Sequence, residues 1–593
     1  MTALSSPPSP DEVSHFQSML AEFRRLSVEP RGEADRFQFL CDQMFTVFSA
    51  SGIWEADREH DRLLPGDDNL DTGNPAFHPP DVFMNTMVKL ASDPENLRGY
   101  YGGFARDDLR SAVQEFLRRT GLLSADQTVD VVAGAGTVHL YDLLCRHLVR
   151  RPNDVVLSAH PFYGFFLPHA ERSGGQTRLV RPDDGYRCSG SLVASSISAV
   201  NDELHQGWAT TVGHRFRAFL TDAAPHLGLC VPPLWVEEVG RALDRVRTWP
   251  DFPEQCDGEV LDLLGPLLAE VGLPWPALAR VGKLPTVPRV VAWMHINPSQ
   301  GGDVYGQEHV SALAEVLRYA QVPPIEDLAY HSVRIQLGEL GSFFRTGVPT
   351  YQLLGLSKPF GLANCRVGLL VTDTDDGYQL GRLVETSAGW MPTFHQIALR
   401  DLLADKEVER YLRENSSASQ DSYAAKCTVA LAVLRGRRHD PTLSEDGFAH
   451  VSRIADETAE ELFGPFGSYP HAAGVPIRSL VDDFLADGLS AWLSVPRPPE
   501  AGFFVMADCT SLITSELGRA LDLRSAFDVF ALFTHFAGVR TIPEEAMTVA
   551  SLSTDTKLLR LSFSVPSRTW VHACFLIFLL LRRLTEQTSH IDR

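Results

Sequence analysis

Lys358 stands in the stretch LGLSKPFGLANCRVGL (residues 354–369), one place after Ser357 and eight before Arg366. A lysine amine is a nucleophile only without its proton, and an ordinary pKa near ~10.4 keeps it charged at neutral pH. A carbonyl partner held as a Schiff base removes that obstacle. The turn Pro359-Phe360-Gly361 leads into the apolar run Val367–Val371, which reads as a strand with Arg366 at its start, aimed at whatever Lys358 holds. A serine and a lysine before a turn are, taken alone, more often a surface feature than a site.

Other residues extend the chemistry. Gly134-Ala135-Gly136-Thr137 follows an apolar run and precedes helical spacing, and backbone N–H groups at a helix start favour a phosphate. Arg560 lies inside the apolar stretch LLRLSFSVPS, where an unpaired guanidinium is costly. A planar fork there suits a carboxylate ligand.

Four stretches accompany the lysine segment in chain order: NLDTGNPAFHPP (69–80), VVAGAGTVHLYDLL (131–144), INPSQGGDVYG (296–306) and IEDLAY (325–330). Together they resemble the class I/II aminotransferase family of fold-type I pyridoxal phosphate enzymes, which includes relatives such as aspartate aminotransferase and aminocyclopropane carboxylate synthase. The resemblance runs from about Asp68 to Arg582, with interruptions.

The resemblance implies a role for each of these residues. Lys358 holds the cofactor aldehyde and, once freed, acts as general base at the substrate Cα. Asp327 pairs with the ring nitrogen, while Tyr330 and Asn297 donate to the ring oxygen. Ala135, Gly136, Thr137, Ser357 and Arg366 hold the phosphate, and Gly355 stands where many relatives carry another hydroxyl. Tyr163 stacks on the ring. Tyr100 reaches the phosphate of a neighbouring subunit, with Tyr101 as the alternative. Arg560 takes the substrate α-carboxylate, and Gly73, in the first stretch, lines the same site. The implied cofactor is pyridoxal 5'-phosphate, and the implied assembly is a homodimer with shared sites.

The elements that must position these groups alternate. Strands at 130–133, 154–158 and 177–180, helices at 136–149 and 162–173, then a strand at 290–296 and a helix at 307–320 predict a mostly parallel sheet covered on both faces. The expected fold class is α/β: a large domain at 91–374, a smaller α+β C-terminal domain at 375–593, and an N-terminal helical extension and arm at 1–90. A long helix is expected through 378–414. Residues 188–288 read as an insertion with helices at 236–248 and 259–271, leaving and rejoining the sheet next to Asn297. Residues 436–495 read as a second, turn-rich insertion.

With 593 residues, 44% hydrophobic and 22% charged, the chain can bury two or three domain cores. A formal charge of −22 argues against nucleic-acid and anionic-membrane partners. Nine scattered cysteines without metal-type spacing fit free thiols in a reducing cytoplasm, and no metal is expected. The apolar run Ala573–Leu581 is shorter than the roughly 20 residues of a membrane span and reads as a buried helix. The N-terminus has no basic-then-apolar signal and reads as a disordered tip.

The expected reaction starts by removing the Cα proton of an α-amino acid, with transamination as its outcome. The alternative is β/γ-elimination or γ-substitution, as in relatives acting on S-adenosylmethionine. The long insertion raises a carbon–carbon bond-forming version with a second substrate as large as a nucleotide, against packing or oligomer contacts as its plain role. A regulator with an added DNA-binding domain is disfavoured, because no helix-turn-helix pattern stands out.

Overall fold

The computed structural model describes residues 8–29, 31–50, 70–71, 73–98, 104–218, 288–336, 339–440, 444–463, 471–472, 475–552 and 554–591. Tyr100, Tyr101 and the helices expected at 236–248 and 259–271 lie outside the described residues.

Seven strands form the central sheet: β1 (Asp130–Gly134), β2 (Val155–Ala159), β3 (Gln176–Val180), β4 (Val290–Ile296), β5 (Pro324–Asp327), β6 (Tyr351–Gly355) and β7 (Gly368–Thr372). Their order is β1-β7-β6-β5-β4-β2-β3. Only β7 runs against its neighbours, β1 and β6, so the other six strands point one way. All seven residues of β4 are buried, as expected of a strand covered on both faces. Side-chain alternation sorts the cover. Val132, Val156 and Leu353 pack under the helix Thr137–Leu148, and Val131, Leu157 and Leu354 face the opposite layer.

The smaller sheet is antiparallel, with Leu558–Ser562 between Phe504–Asp508 and Ile542–Pro543. Its core includes the helices Tyr423–Arg435, Glu445–Phe463 and Ser567–Ile591. The helices Pro10–Ser27 and Glu33–Ala50 join that same core through Phe16, Leu20, Leu40 and Met44, and the Phe23 ring stacks on Phe527 at 3.8 Å. The helix Glu33–Ala50 also packs Phe37 against Phe166 and Leu167 of the large sheet's cover, so it bridges the two cores. The run Ala573–Leu581 is buried within the last helix, and no described helix is long and apolar enough to cross a membrane.

Three expectations change. The helix through 378–414 is three helices, Gly377–Ala388, Thr393–Ala404 and Val408–Arg413. Gly389, at φ 71°, and Pro392 interrupt the first junction, because one favours a left-handed turn and the other cannot continue a helix. Within 436–495, the segments Glu445–Phe463 and Ile477–Asp487 are helices that bury Val451, Ile454, Ala455 and Ala459 at helical spacing.

The third change concerns the long connection after β3. Residues 190–218 form one helix that starts near the C-terminal ends of the strands, where Cys188 N donates to the Tyr305 hydroxyl at 2.9 Å. By Asn201 it has descended to the other end of the sheet, where the Asn201 side-chain oxygen accepts from Val290 N, the first residue of β4, at 2.8 Å. The remaining turns, to Ala218, carry the chain roughly 25 Å farther along that direction at ~1.5 Å per residue. The connection then re-enters β4 at its N-terminal end. It leaves from the end of the sheet that carries Asn297, as expected, since Tyr305 is itself bonded to Asn297, but it rejoins at the opposite end.

Candidate active site

The connections that leave the C-terminal ends of the parallel strands meet in one place, where open α/β sheets bind ligands. Lys358 follows β6, Asp327 ends β5, Asn297 follows β4, Tyr163 follows β2 and Gly136 follows β1. Arg366 stands two residues before the antiparallel β7, so it lies at the same end. Arg560 arrives from the smaller domain, in the middle of its central strand.

The Lys358 amine donates to the Gly73 carbonyl. Burial pushes its pKa down to about 8, and the Arg560 and Arg366 guanidiniums push the same way. A substantial neutral fraction is therefore available near neutral pH. Gly73 must lack a side chain here, because a Cβ would stand 2.8 Å from the Phe504 ring.

Asp327 is 3% exposed, and Ala329 N, at 3.0 Å, donates to its side chain. Burial raises it to about 7. The adjacent acid Glu326 points to the opposite face, where Gln352 Nε2 donates to it at 2.8 Å. Strand alternation thus separates the acid aimed at the site from the one in the sheet's other layer.

Tyr163 and Tyr330 are both half-buried and lie in the fields of Arg560 and Asp327, and burial raises both phenols. Tyr330 sits edge-on to Phe503 and Phe504, with ring centres 5.1 and 5.7 Å apart. Arg560 is 8% exposed, and its guanidinium lies 4.1 Å over the Phe504 ring.

The phosphate-type cradle is also formed. Helix Thr137–Leu148 starts at Gly136, φ 88°, and no side chain caps it. A Cβ on Gly136 would come within 3.2 Å of Arg366 Nη2, so the bare glycine lets the guanidinium close over the helix start. Arg366 is exposed and takes φ 50°. Ala135 N donates to His139 Nδ1 at 3.2 Å, so one amide of the turn is already occupied. Thr137 is half-buried in the first turn, and Ser357 is half-buried beside Lys358.

Asn297 departs from its expected use. Its Nδ2 donates to the carbonyls of Tyr305 at 3.0 Å and Gly341 at 3.2 Å, and its Oδ1 accepts from Tyr305 N at 3.0 Å. Both amide protons are spent on the backbone, so in this structure the side chain braces its loop and offers nothing to a ring oxygen. The sequence reading also passed over Gln300, Phe504 and His139. Gln300 lay inside a stretch already singled out, and only its proximity to Arg560 distinguishes it.

The model of aminotransferase class I and II matches residues 68–197 and 296–464, just over half of the chain. The chain belongs to that family. A class I and II aminotransferase fold accounts for the sheet order, the second antiparallel sheet and the pyridoxal 5'-phosphate cofactor, which places the chain among transferases and lyases of that chemistry. The aspartate aminotransferase of Thermus thermophilus with maleate is similar at 15% identity and TM-score 0.53, over 91% of this chain and 96% of that one. Escherichia coli YbdL, whose crystal structure and reactivity identify a methionine aminotransferase function, is similar at 14% identity and TM-score 0.51, over 90% and 96%. The aromatic aminotransferase of Pyrococcus horikoshii is similar at 13% and 0.52, over 87% and 96%. At these identities the likeness extends to the fold alone. No curated protein matches the chain in sequence.

Proposed function

We propose that this enzyme is an aminotransferase that removes the Cα proton of an α-amino acid, working as a homodimer. The carrying observation is the half-buried Lys358 amine, which donates to the Gly73 carbonyl and is lowered to about 8 by burial and by the Arg560 and Arg366 guanidiniums. In this reading the amine holds the cofactor aldehyde and, when released, takes the proton from Cα and returns it.

The cofactor fits the residues present. Asp327 is a buried carboxylate with one backbone donor among the described residues, and a protonated ring nitrogen would supply the cation it lacks. Arg366 and the uncapped helix start at Gly136 and Thr137, with Ala135 and Ser357 beside them, form the phosphate seat. Tyr163 is the stacking ring, and Tyr330 is the donor to the ring oxygen. Once bound, the cofactor supplies an electron sink for the pair left on Cα. Arg560 binds the substrate carboxylate, with Gly73 and Phe504 as the adjoining wall. Tyr100 would complete the neighbouring subunit's phosphate seat.

Elimination or substitution at the β or γ carbon shares every one of these residues and remains the second reading. The helix Gly190–Ala218 weakens the support that the long connection lent to a large second substrate, because it starts near the C-terminal ends of the strands but carries the chain to the other end, where β4 is also re-entered. Incubating the pure holoenzyme with single amino acids and 2-oxoglutarate or pyruvate, and separating the products, tests the choice. New amino acid and matching 2-oxo acid in equal amounts support transamination. Release of the side chain's leaving group without amino transfer sinks it.

A further inference from the structure

Arg560 is held by two neutral oxygens. Nη2 donates to the Asp71 backbone carbonyl at 3.1 Å, and Nη1 donates to Gln300 Oε1 at 3.5 Å. The Asp71 carboxylate is drawn toward Arg540, with Nε of that residue 3.8 Å from Oδ2. Among the described residues Arg560 makes no salt bridge, and its Nε has no hydrogen-bond partner. A guanidinium 8% exposed with no salt bridge among the described residues, offset only by the field of the nearby Asp71 carboxylate and of phenols, is costly by itself, and an incoming anion relieves that cost.

The loop that carries Gln300 is rigid by construction. Ser299 N donates to the Asp303 carbonyl at 2.9 Å, Gly302 N to the Ser299 carbonyl at 2.9 Å, and Asp303 N to Ser299 Oγ at 3.0 Å. The buried Asp303 accepts from Tyr186 N at 2.9 Å and pairs with Arg497 Nε at 3.1 Å. Gly301 and Gly302 press on Tyr186 and Pro499, where a Cβ would lie 2.0 and 2.4 Å from their atoms. Gln300 is 4% exposed, and its Nε2 makes no hydrogen bond to any described residue. With Asn297 committed to the backbone, Gln300 is the side-chain amide of this stretch that has a donor left over.

We infer that Gln300 is a positioning and specificity-determining residue for the substrate carboxylate. Its Oε1 fixes the guanidinium plane without neutralising it, and its Nε2–H donates to the carboxylate oxygen that Arg560 carries. The inference rests on the proposed role of Arg560. It explains why an amide, and not the carboxylate of a glutamate of equal length, stands beside a buried arginine: an acid there would take the charge that the substrate needs.

Two aminooxy reagents read carboxylate recognition without knowledge of the natural substrate. Aminooxyacetate and O-methylhydroxylamine each convert the holoenzyme's cofactor carbonyl to an oxime, releasing the lysine amine, and only the first carries a carboxylate. The wild-type rate ratio, followed by absorbance, is compared with that of Gln300→Glu, Gln300→Ala and Arg560→Ala. We expect Gln300→Glu to lower the aminooxyacetate preference by about tenfold or more, and Gln300→Ala by less, with the O-methylhydroxylamine rate unchanged. If both Gln300 variants keep the wild-type preference while Arg560→Ala loses it, the inference is overturned and the role of Arg560 stands. If Arg560→Ala also keeps it, both fall. Equal slowing of the two reagents in Gln300→Glu would show a merely structural role and overturn the inference as well.

Discussion

Asp154 and Asp327 are both buried aspartates on the same sheet, at its opposite ends. Asp154, before β2 and fully buried, accepts three backbone N–H groups: Arg150 at 3.1 Å and Arg151 at 2.9 Å on one oxygen, and Arg289 at 3.1 Å on the other. Asp327, after β5, accepts one at 3.0 Å. The N-terminal end of the sheet spends its acid on tying β2 to β4, near where the long connection returns. The C-terminal end leaves its acid under-bonded, at the end of the sheet where Lys358 also stands and the buried Arg560 arrives. The same residue type is a brace where its hydrogen bonds are filled and a site where they are withheld.

Removing each acid should therefore have opposite consequences. Asp327→Asn should lower turnover by about 10³-fold, because a neutral amide no longer stabilises the ring cation. Without cofactor the same change should stabilise the fold. Asp327 has a folded-state pKa of about 7 against an ordinary value of 3.8, so the folded state binds more protons between those values and wild-type stability falls as pH rises through them. The Asn variant lacks that fall. Its advantage should grow from pH 4 to 7 and level off above, reaching on the order of 4 kcal/mol in cofactor-free denaturant titrations. A pH-independent difference would contradict the shift.

Arg560→Lys should reduce kcat/KM by about 10²-fold while cofactor absorbance stays, since a point charge cannot replace the fork. Steady-state kinetics with intact absorbance checks it. Asp154→Ala should destabilise by on the order of 3 kcal/mol, leaving three N–H groups short of acceptors, yet folded enzyme should turn over within about twofold of wild type. A loss of turnover without loss of stability would erase the contrast between the two acids. Smallest of all, replacing 219–287 by a short linker should change turnover by less than about twofold, because both described ends lie away from the site. A redirected product there would restore the case for a second substrate.

One side of this contrast was legible in the sequence, and the bracing role of Asp154 was not, for reasons that differ by residue. Strand and helix boundaries such as Gln307–Ala320 followed from apolar spacing, and Lys358, Asp327, Arg366 and Arg560 followed from motifs in a fixed order. The direction of the helix Gly190–Ala218 was not legible, because an amphipathic stretch does not say toward which end of a sheet it runs. Gln300 was not legible, because nothing in its short motif sets it apart from Asn297, and only three-dimensional hydrogen bonding shows that the Asn297 amide is spent. The break at Gly389 and Pro392, by contrast, was written in the chain and was overlooked by reading apolar spacing across it.

The central claim is that the lowered amine of Lys358 holds the cofactor. Borohydride reduction of the holoenzyme followed by peptide mapping tests it most directly. The account predicts one covalent label, on Lys358 in the peptide spanning Ser357 and Pro359, and none in Lys358→Ala. A label on another lysine, or no label with the cofactor demonstrably bound, would contradict it.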